Sequence, residues 1–447
     1  MFQNQNIHKP ARRLFRVCMA LLALSLCACS FFRPSLPGRE EQSEKLAEAM
    51  AKGGYAPARG FEIGSKHDIW MHDGTELDVL MTAPTAPGSY PLIVYLPSLG
   101  EDARAGQLWR ETWAKAGYAV FSMQPLAISR ALKELGSTMG VEPGESDEGE
   151  SFGSSDEDSA RPSEEESGGW FGEKRRRPSR AARNSELRYL GHEFFATDRL
   201  KNRMEQLFWA YRQAKIWSEL RQPLFASADF SKVILAGYDL GAQTVTAVMG
   251  ENFETPMPVN SELKPLAAMV LSPSVNLATG NVRSRFQKLS LPILVITGTE
   301  DNDPYAISSS SVRTAVWGYA PGGGKYLLLL KGGGHRLLSG SEMGGRFARN
   351  DRGEFGGMLS GGMGSGRAGG GRGMEGMSGG FPDGMREGFP IEGGRKDPNL
   401  GYKHVAAIYS ASTAFLDSVV KNDRFARFWL EDKVNPWLGG AGALNVR

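Results

Sequence analysis

The sequence predicts a single α/β domain on a mostly parallel, doubly wound sheet, and three observations predict it. Continuous apolar runs of strand length recur along the chain, "YPLIVYLP", "YAVFSMQ", "KVILAG", "LAAMVLSPS", "LPILVITG" and "KYLLLL", and such runs suit strands covered on both faces. Segments of helical period stand between several of them with short joints, which predicts parallel pairing through right-handed crossovers. A chain of 447 residues, 41% hydrophobic and 23% charged, suffices for one large core.

From the N-terminus, His8, Lys9, Arg12, Arg13 and Arg16 precede the apolar run "VCMALLALSL" from Val17 to Leu26. That run is too short to span a bilayer, so residues 1–28 read as an export signal. Residues 29–54, polar around "EEQSEKLAEAMA", read as a tether. The folded domain is expected over 55–438 and opens with a hairpin that turns at Asp73-Gly74. "QLWRETWAKAG" places Leu108, Trp109, Thr112 and Trp113 on one helical face and stops at Gly117. Leu200, Met204, Leu207, Phe208, Tyr211 and Trp217 form a second helical face, and Val405, Ile408, Phe415, Leu416 and Val419 a third.

Two stretches interrupt this pattern. Residues 142–184 are acidic and Ser/Gly-rich, then basic from Lys174, and residues 339–399 are rich in Gly, Met and Arg. Neither offers enough apolar surface to offset its ordering entropy, so both read as disordered inserts. Both leave from the sheet edge that carries the candidate chemistry, one after the "YAVFSMQ" strand and one just after His335. They are therefore expected to border the site entrance, as a loose lid or as a docking surface for a protein partner.

The formal charge of +2 gives no case for a nucleic-acid partner. All three cysteines, Cys18, Cys27 and Cys29, lie in the leader region, which leaves the domain without a disulfide or a catalytic thiol. His67, His72, His192 and His404 show no metal-ligand spacing, and Met358, Met363, Met374 and Met377 stand without a nearby His or Cys. Neither a metal nor a cofactor is expected. "LCAC", Leu26 to Cys29, resembles the bacterial lipobox; this implies lipid on Cys29, with Ser30 behind it implying the outer membrane, facing the periplasm. Ordinary secretion after Ala28 is the alternative.

In doubly wound sheets the chemistry gathers at the carboxyl ends of the strands. Three such ends carry reactive groups. "SKVILAGYDLGAQTVTAV" is a strand, a tight turn and a helix, with Asp239 between Gly237 and Gly241 at the apex; "PILVITG" ends before Asp301, with Asp303 as its rival; "KYLLLLKGGGH" ends at His335. The chain order is apex residue, acid, histidine. With that order, "PLIVYLPSLGED", "GYAVFSMQ", "VILAGYDLGA", "LPILVITGTED" and "GGGH" resemble the α/β-hydrolase superfamily, most closely its dienelactone hydrolase and platelet-activating-factor acetylhydrolase type.

The resemblance implies an α/β-hydrolase fold acting on a small-molecule substrate, with Asp239 at the nucleophile position, Asp301 as the acid and His335 as the base. It also implies oxyanion-hole backbone N–H groups from Leu240 and from the Pro97–Gly100 loop, through Ser98 and Leu99. Two departures stand out: relatives use serine or cysteine where this chain has Asp239, and His-Gly where it has Pro97-Ser98. A carboxylate is ionised at neutral pH and needs no base to attack. At an ester carbonyl it would form a mixed anhydride; at a saturated carbon it forms a stable alkyl ester that activated water then cleaves. Asp239 therefore reads as a nucleophile, as a general base on water, or as part of a buried network in a protein that binds without turnover.

Overall fold

The computed structural model describes residues 39–138, 180–341 and 400–447. The expected export signal, Cys29, and the bulk of both inserts lie outside the described residues. Nine strands form one sheet: β1 (Ile63–His72), β2 (Thr75–Pro84), β3 (Tyr90–Leu96), β4 (Ala119–Pro125), β5 (Ala228–Tyr238), β6 (Pro265–Leu271), β7 (Ile293–Glu300), β8 (Lys325–Gly334) and β9 (Gly442–Val446). Their spatial order is β1-β2-β4-β3-β5-β6-β7-β8-β9. From β4 to β8 all neighbours are parallel, while β1 and β2 at one edge and β9 at the other pair antiparallel. The expected mostly parallel α/β sheet is what forms.

The longer helices are α1 (Arg39–Ala51), α2 (Gln107–Lys115), α3 (Leu126–Thr138), α4 (Arg180–Phe194), α5 (Thr197–Glu219), α6 (Leu240–Val248) and α7 (Leu400–Val420). Side chains alternate across each buried strand, which divides the core by face. Leu92 and Val94 of β3 join Ile293 and Val295 of β7 in one cluster beneath α5 and α6. Ile93 and Tyr95 join Leu294 and Ile296 in the other, beneath α2 and α7. A third, smaller cluster lies apart from both: Leu99, Ile128, Ala131, Leu187, Phe195, Leu240 and Tyr305, drawn from α3, α4, the start of α6 and the loops beside them.

Two boundaries differ from expectation. The second half of the expected tether is the helix α1, docked by indole donors: Trp437 Nε1 to the Ala49 carbonyl at 3.2 Å and Trp429 Nε1 to the Gly53 carbonyl at 3.0 Å. Its polar face concealed Leu46, which packs against the second core. The domain also continues past Leu438, because "GALNV" pairs with β8 from Leu330↔Gly442 to Tyr326↔Val446. A five-residue edge strand with one glycine and one asparagine carries little local signal.

Candidate active site

Strand β5 delivers the chain to Tyr238, helix α6 begins at Leu240, and Asp239 makes the turn between them at φ 49 and ψ −104. A non-glycine residue there holds strain of order 1–3 kcal/mol, and it persists because its neighbours over-determine it. Gly237 and Gly241 make the turn possible: a Cβ on Gly237 would meet the Gly241 carbonyl carbon at 2.5 Å, and one on Gly241 would meet the Leu96 carbonyl oxygen at 1.9 Å. Asp239 stands at the N-cap of α6, yet its carboxylate makes no capping bond. It faces the strand ends instead.

Three carboxylates, one imidazole and one guanidinium meet there. His335, opening the short helical turn after β8, places Nδ1 2.8 Å from Asp301 Oδ1 and Nε2 3.8 Å from Asp239 Oδ2. Asp301 also accepts from the Ser272 hydroxyl on Oδ1 and from the Thr297 hydroxyl on Oδ2, each at 2.7 Å. Arg313 is fully buried behind them. Its guanidinium lies 3.3 Å from Asp301 Oδ1, 3.5 Å from Asp303 Oδ2 and 3.9 Å from Asp239 Oδ1, and it donates to the Ser272, Pro273 and Asp301 carbonyls. Asp303, the rival acid, accepts the amides of Tyr305, Ile307 and Ser308. Asp301 therefore orients the imidazole and Asp303 orders the loop.

Asp239 is fully buried, and its two oxygens differ. Oδ2 accepts the Ser98 hydroxyl at 2.7 Å, while Oδ1 accepts no hydrogen bond among the described residues. Burial raises the Asp239 carboxyl above its ordinary value, against the opposing charges of His335 and Arg313. For Asp301 burial pushes the same way, but the Arg313 charge and the His335 bond outweigh it and hold the group at about 2. Burial would lower His335; the hydrogen bond to Asp301 and the charges of Asp239 and Asp301 prevail and raise it. Glu101 is pushed up to about 7 by burial although the Ser98 amide stabilises its carboxylate.

These directions leave Asp301 ionised and make His335 more basic than an ordinary histidine, with Asp239 facing it. A raised histidine contributes stability that is fully present below its unfolded value of 6.5 and is lost as pH rises through the folded value. In NMR titration the His335 ring should therefore change charge above the ordinary histidine midpoint, and Asp239→Asn should move that midpoint down. A wild-type midpoint at or below 6.5 would contradict the arrangement.

Sequence reasoning named Asp239, Asp301 and His335, and the structure brings the three together. Leu99 and Leu240 flank the turn at Asp239 and pack with Ile128 and Ala131 of α3 and Leu187 of α4 in the third apolar cluster, and the His335 side chain is 12% exposed. The Ser98 amide donates to Glu101 Oε2 at 3.0 Å and is occupied there rather than offered to an oxyanion. Ser272, Thr297 and Glu101 had no local signature beyond their place near strand ends, and Arg313, in a short helix well past β7, had none. The hint for Ser98 was its position at one of the two departures from the resemblance. Compared with protein-family models and with curated proteins, the chain matches none, so the chemistry of the site has to come from its own geometry.

Proposed function

We propose that the chain is an α/β-hydrolase-fold hydrolase of the cell envelope, held by lipid on Cys29, in which Asp239 attacks a small organic substrate at carbon. One observation carries this reading: a fully buried carboxylate oxygen, Asp239 Oδ1, without a hydrogen bond among the described residues, on a strained strand-to-helix turn. Buried acceptors are nearly always satisfied, and an exception at a strained position calls for a functional reason. The strand order and the β5–Asp239–α6 elbow support the hydrolase fold.

A cycle that starts from the Asp239 carboxylate and the His335 imidazolium closes. Asp239 Oδ1 attacks a carbon of an epoxide or one bearing a halide; the epoxide oxygen departs with the proton of the His335 imidazolium, whereas a halide departs as the anion and that proton passes to solvent. With Asp239 now an uncharged ester, His335 is neutral and accepts a proton from water as the hydroxide attacks the Asp239 acyl carbon. The Leu240 and Leu99 amides are the candidate donors to that tetrahedral oxyanion. Collapse returns the alcohol product and the Asp239 carboxylate, and His335 is again charged. Asp301 and Arg313 keep the imidazole oriented throughout.

The test is turnover of a short acyl ester, an epoxide and a haloalkane by wild type, Asp239→Asn and His335→Ala. Alkyl substrates should be consumed, and Asp239→Asn should lower kcat/KM at least about 100-fold, ~2.7 kcal/mol. Undiminished turnover in Asp239→Asn removes Asp239 from the mechanism. A second reading, a binding module without turnover, is favoured by the complete burial of Asp239. Inert wild type, with ester hydrolysis gained by Asp239→Ser, would select it.

A further inference from the structure

The two departures from the hydrolase resemblance are in contact. Ser98 and Asp239 lie 141 residues apart in sequence, and Ser98 Oγ donates to Asp239 Oδ2 at 2.7 Å. They follow adjacent parallel strands, β3 and β5, whose last paired residues are Leu96 and Gly237. In a serine hydrolase the elbow carries the hydroxyl and a second group takes its proton. Here the elbow carries the proton acceptor, and the facing loop carries the hydroxyl.

Ser98 is held on both sides. Its amide donates to Glu101 Oε2 at 3.0 Å, and its carbonyl accepts Gln124 Nε2 at 2.7 Å. Asp239 is suited to take the proton. With the group buried and Oδ1 accepting no hydrogen bond among the described residues, its anion is poorly stabilised, and burial raises its carboxyl above the ordinary range. The same Oδ2 lies 3.8 Å from His335 Nε2, so the carboxylate that would receive the Ser98 proton already faces the imidazole.

We propose that Ser98 is an acyl-accepting nucleophile with Asp239 as its base, which gives this site a second substrate class, carboxylic esters. The proposal goes beyond the attack of Asp239 on carbon and uses the same carboxylate in another role. The Ser98 O–H bond breaks, its proton passes to Asp239 Oδ2, and Oγ forms a bond to the ester carbonyl carbon. Collapse breaks the bond to the alcohol oxygen, which leaves with the proton from Asp239, and Ser98 remains acylated. Water then gives a proton to Asp239 and its oxygen attacks the acyl carbon. Ser98 Oγ departs and recovers the proton, so the net change is ester plus water to acid plus alcohol, with no oxidation or reduction.

An alkyl fluorophosphonate tests this on the full chain in detergent, with intact mass and peptide mapping as readout. One adduct is expected on Ser98. It should be absent in Ser98→Ala and form at least about 100-fold more slowly in Asp239→Asn, the lower range for loss of a general base. Ser98→Cys, with an unfolding midpoint matching wild type, should capture the acyl group of a p-nitrophenyl ester at residue 98. No adduct at Ser98, an adduct only elsewhere, or wild-type ester turnover in Ser98→Ala overturns the proposal. Alkyl turnover without a Ser98 adduct overturns it while leaving the attack of Asp239 on carbon intact. A Ser98 adduct without alkyl turnover does the reverse.

Discussion

Arg313→Met should destabilise the folded chain by about 3–5 kcal/mol at neutral pH, the usual cost of stripping one partner from a buried ion network. Arg313 faces Asp239, Asp301 and Asp303 within 3.9 Å and is itself fully buried. Methionine keeps much of the volume but leaves carboxylates without their cation and three carbonyls without a donor. The pH dependence identifies the cause. With Arg313 present, the depressed Asp301 contributes stability above its ordinary 3.8 that is lost as pH falls through about 2. Without the guanidinium the buried carboxyls rise, and protonating them relieves the unpaired charge. The deficit should therefore be largest near neutral pH and should shrink as pH falls toward about 4, roughly the ordinary aspartate value. Urea unfolding at both pH values measures it. A loss below about 1 kcal/mol, or one equal at the two pH values, would mean that Arg313 serves packing alone.

Gly241→Ala should cost at or above the ~3 kcal/mol upper end of ordinary overpacking. A Cβ there would lie 1.9 Å from the Leu96 carbonyl oxygen and 2.8 Å from that of Pro97, so the clash is with backbone. Side chains can rotate away; the end of a central parallel strand cannot. Relief would require α6 to move off β3, which would carry Asp239 away from Ser98 and His335. Loss of turnover should accompany the loss of stability, and a second-site change that only restores stability should not restore turnover. An unfolding midpoint within about 0.5 kcal/mol of wild type, the range of a neutral surface change, would show that the elbow has slack.

Much of this molecule is legible from local pattern. Buried strands such as "YPLIVYLP" and "LPILVITG" carry their covering on both faces in their own composition, and Gly237 with Gly241, between an apolar run and a helical pattern, marks the turn. Since strand ends are where groups converge in a parallel sheet, the positions of Asp239, Asp301 and His335 along the chain already placed them at one edge. The helix in the tether and the strand β9 were not legible, because each is stabilised by remote partners: Trp437 and Trp429 for the first, β8 for the second.

The sequence by itself determined the strand and helix pattern, the apex carboxylate and the order of the three candidate groups. Only the tertiary structure decided which atoms meet. It paired Ser98 with Asp239 across 141 residues, set Arg313 among three acids and packed α3 and α4 against Leu99 and Leu240. The physical reason is range. Apolar periodicity and turn chemistry act within a few residues, whereas hydrogen bonds and charges inside a low-dielectric site act between segments that share no sequence pattern.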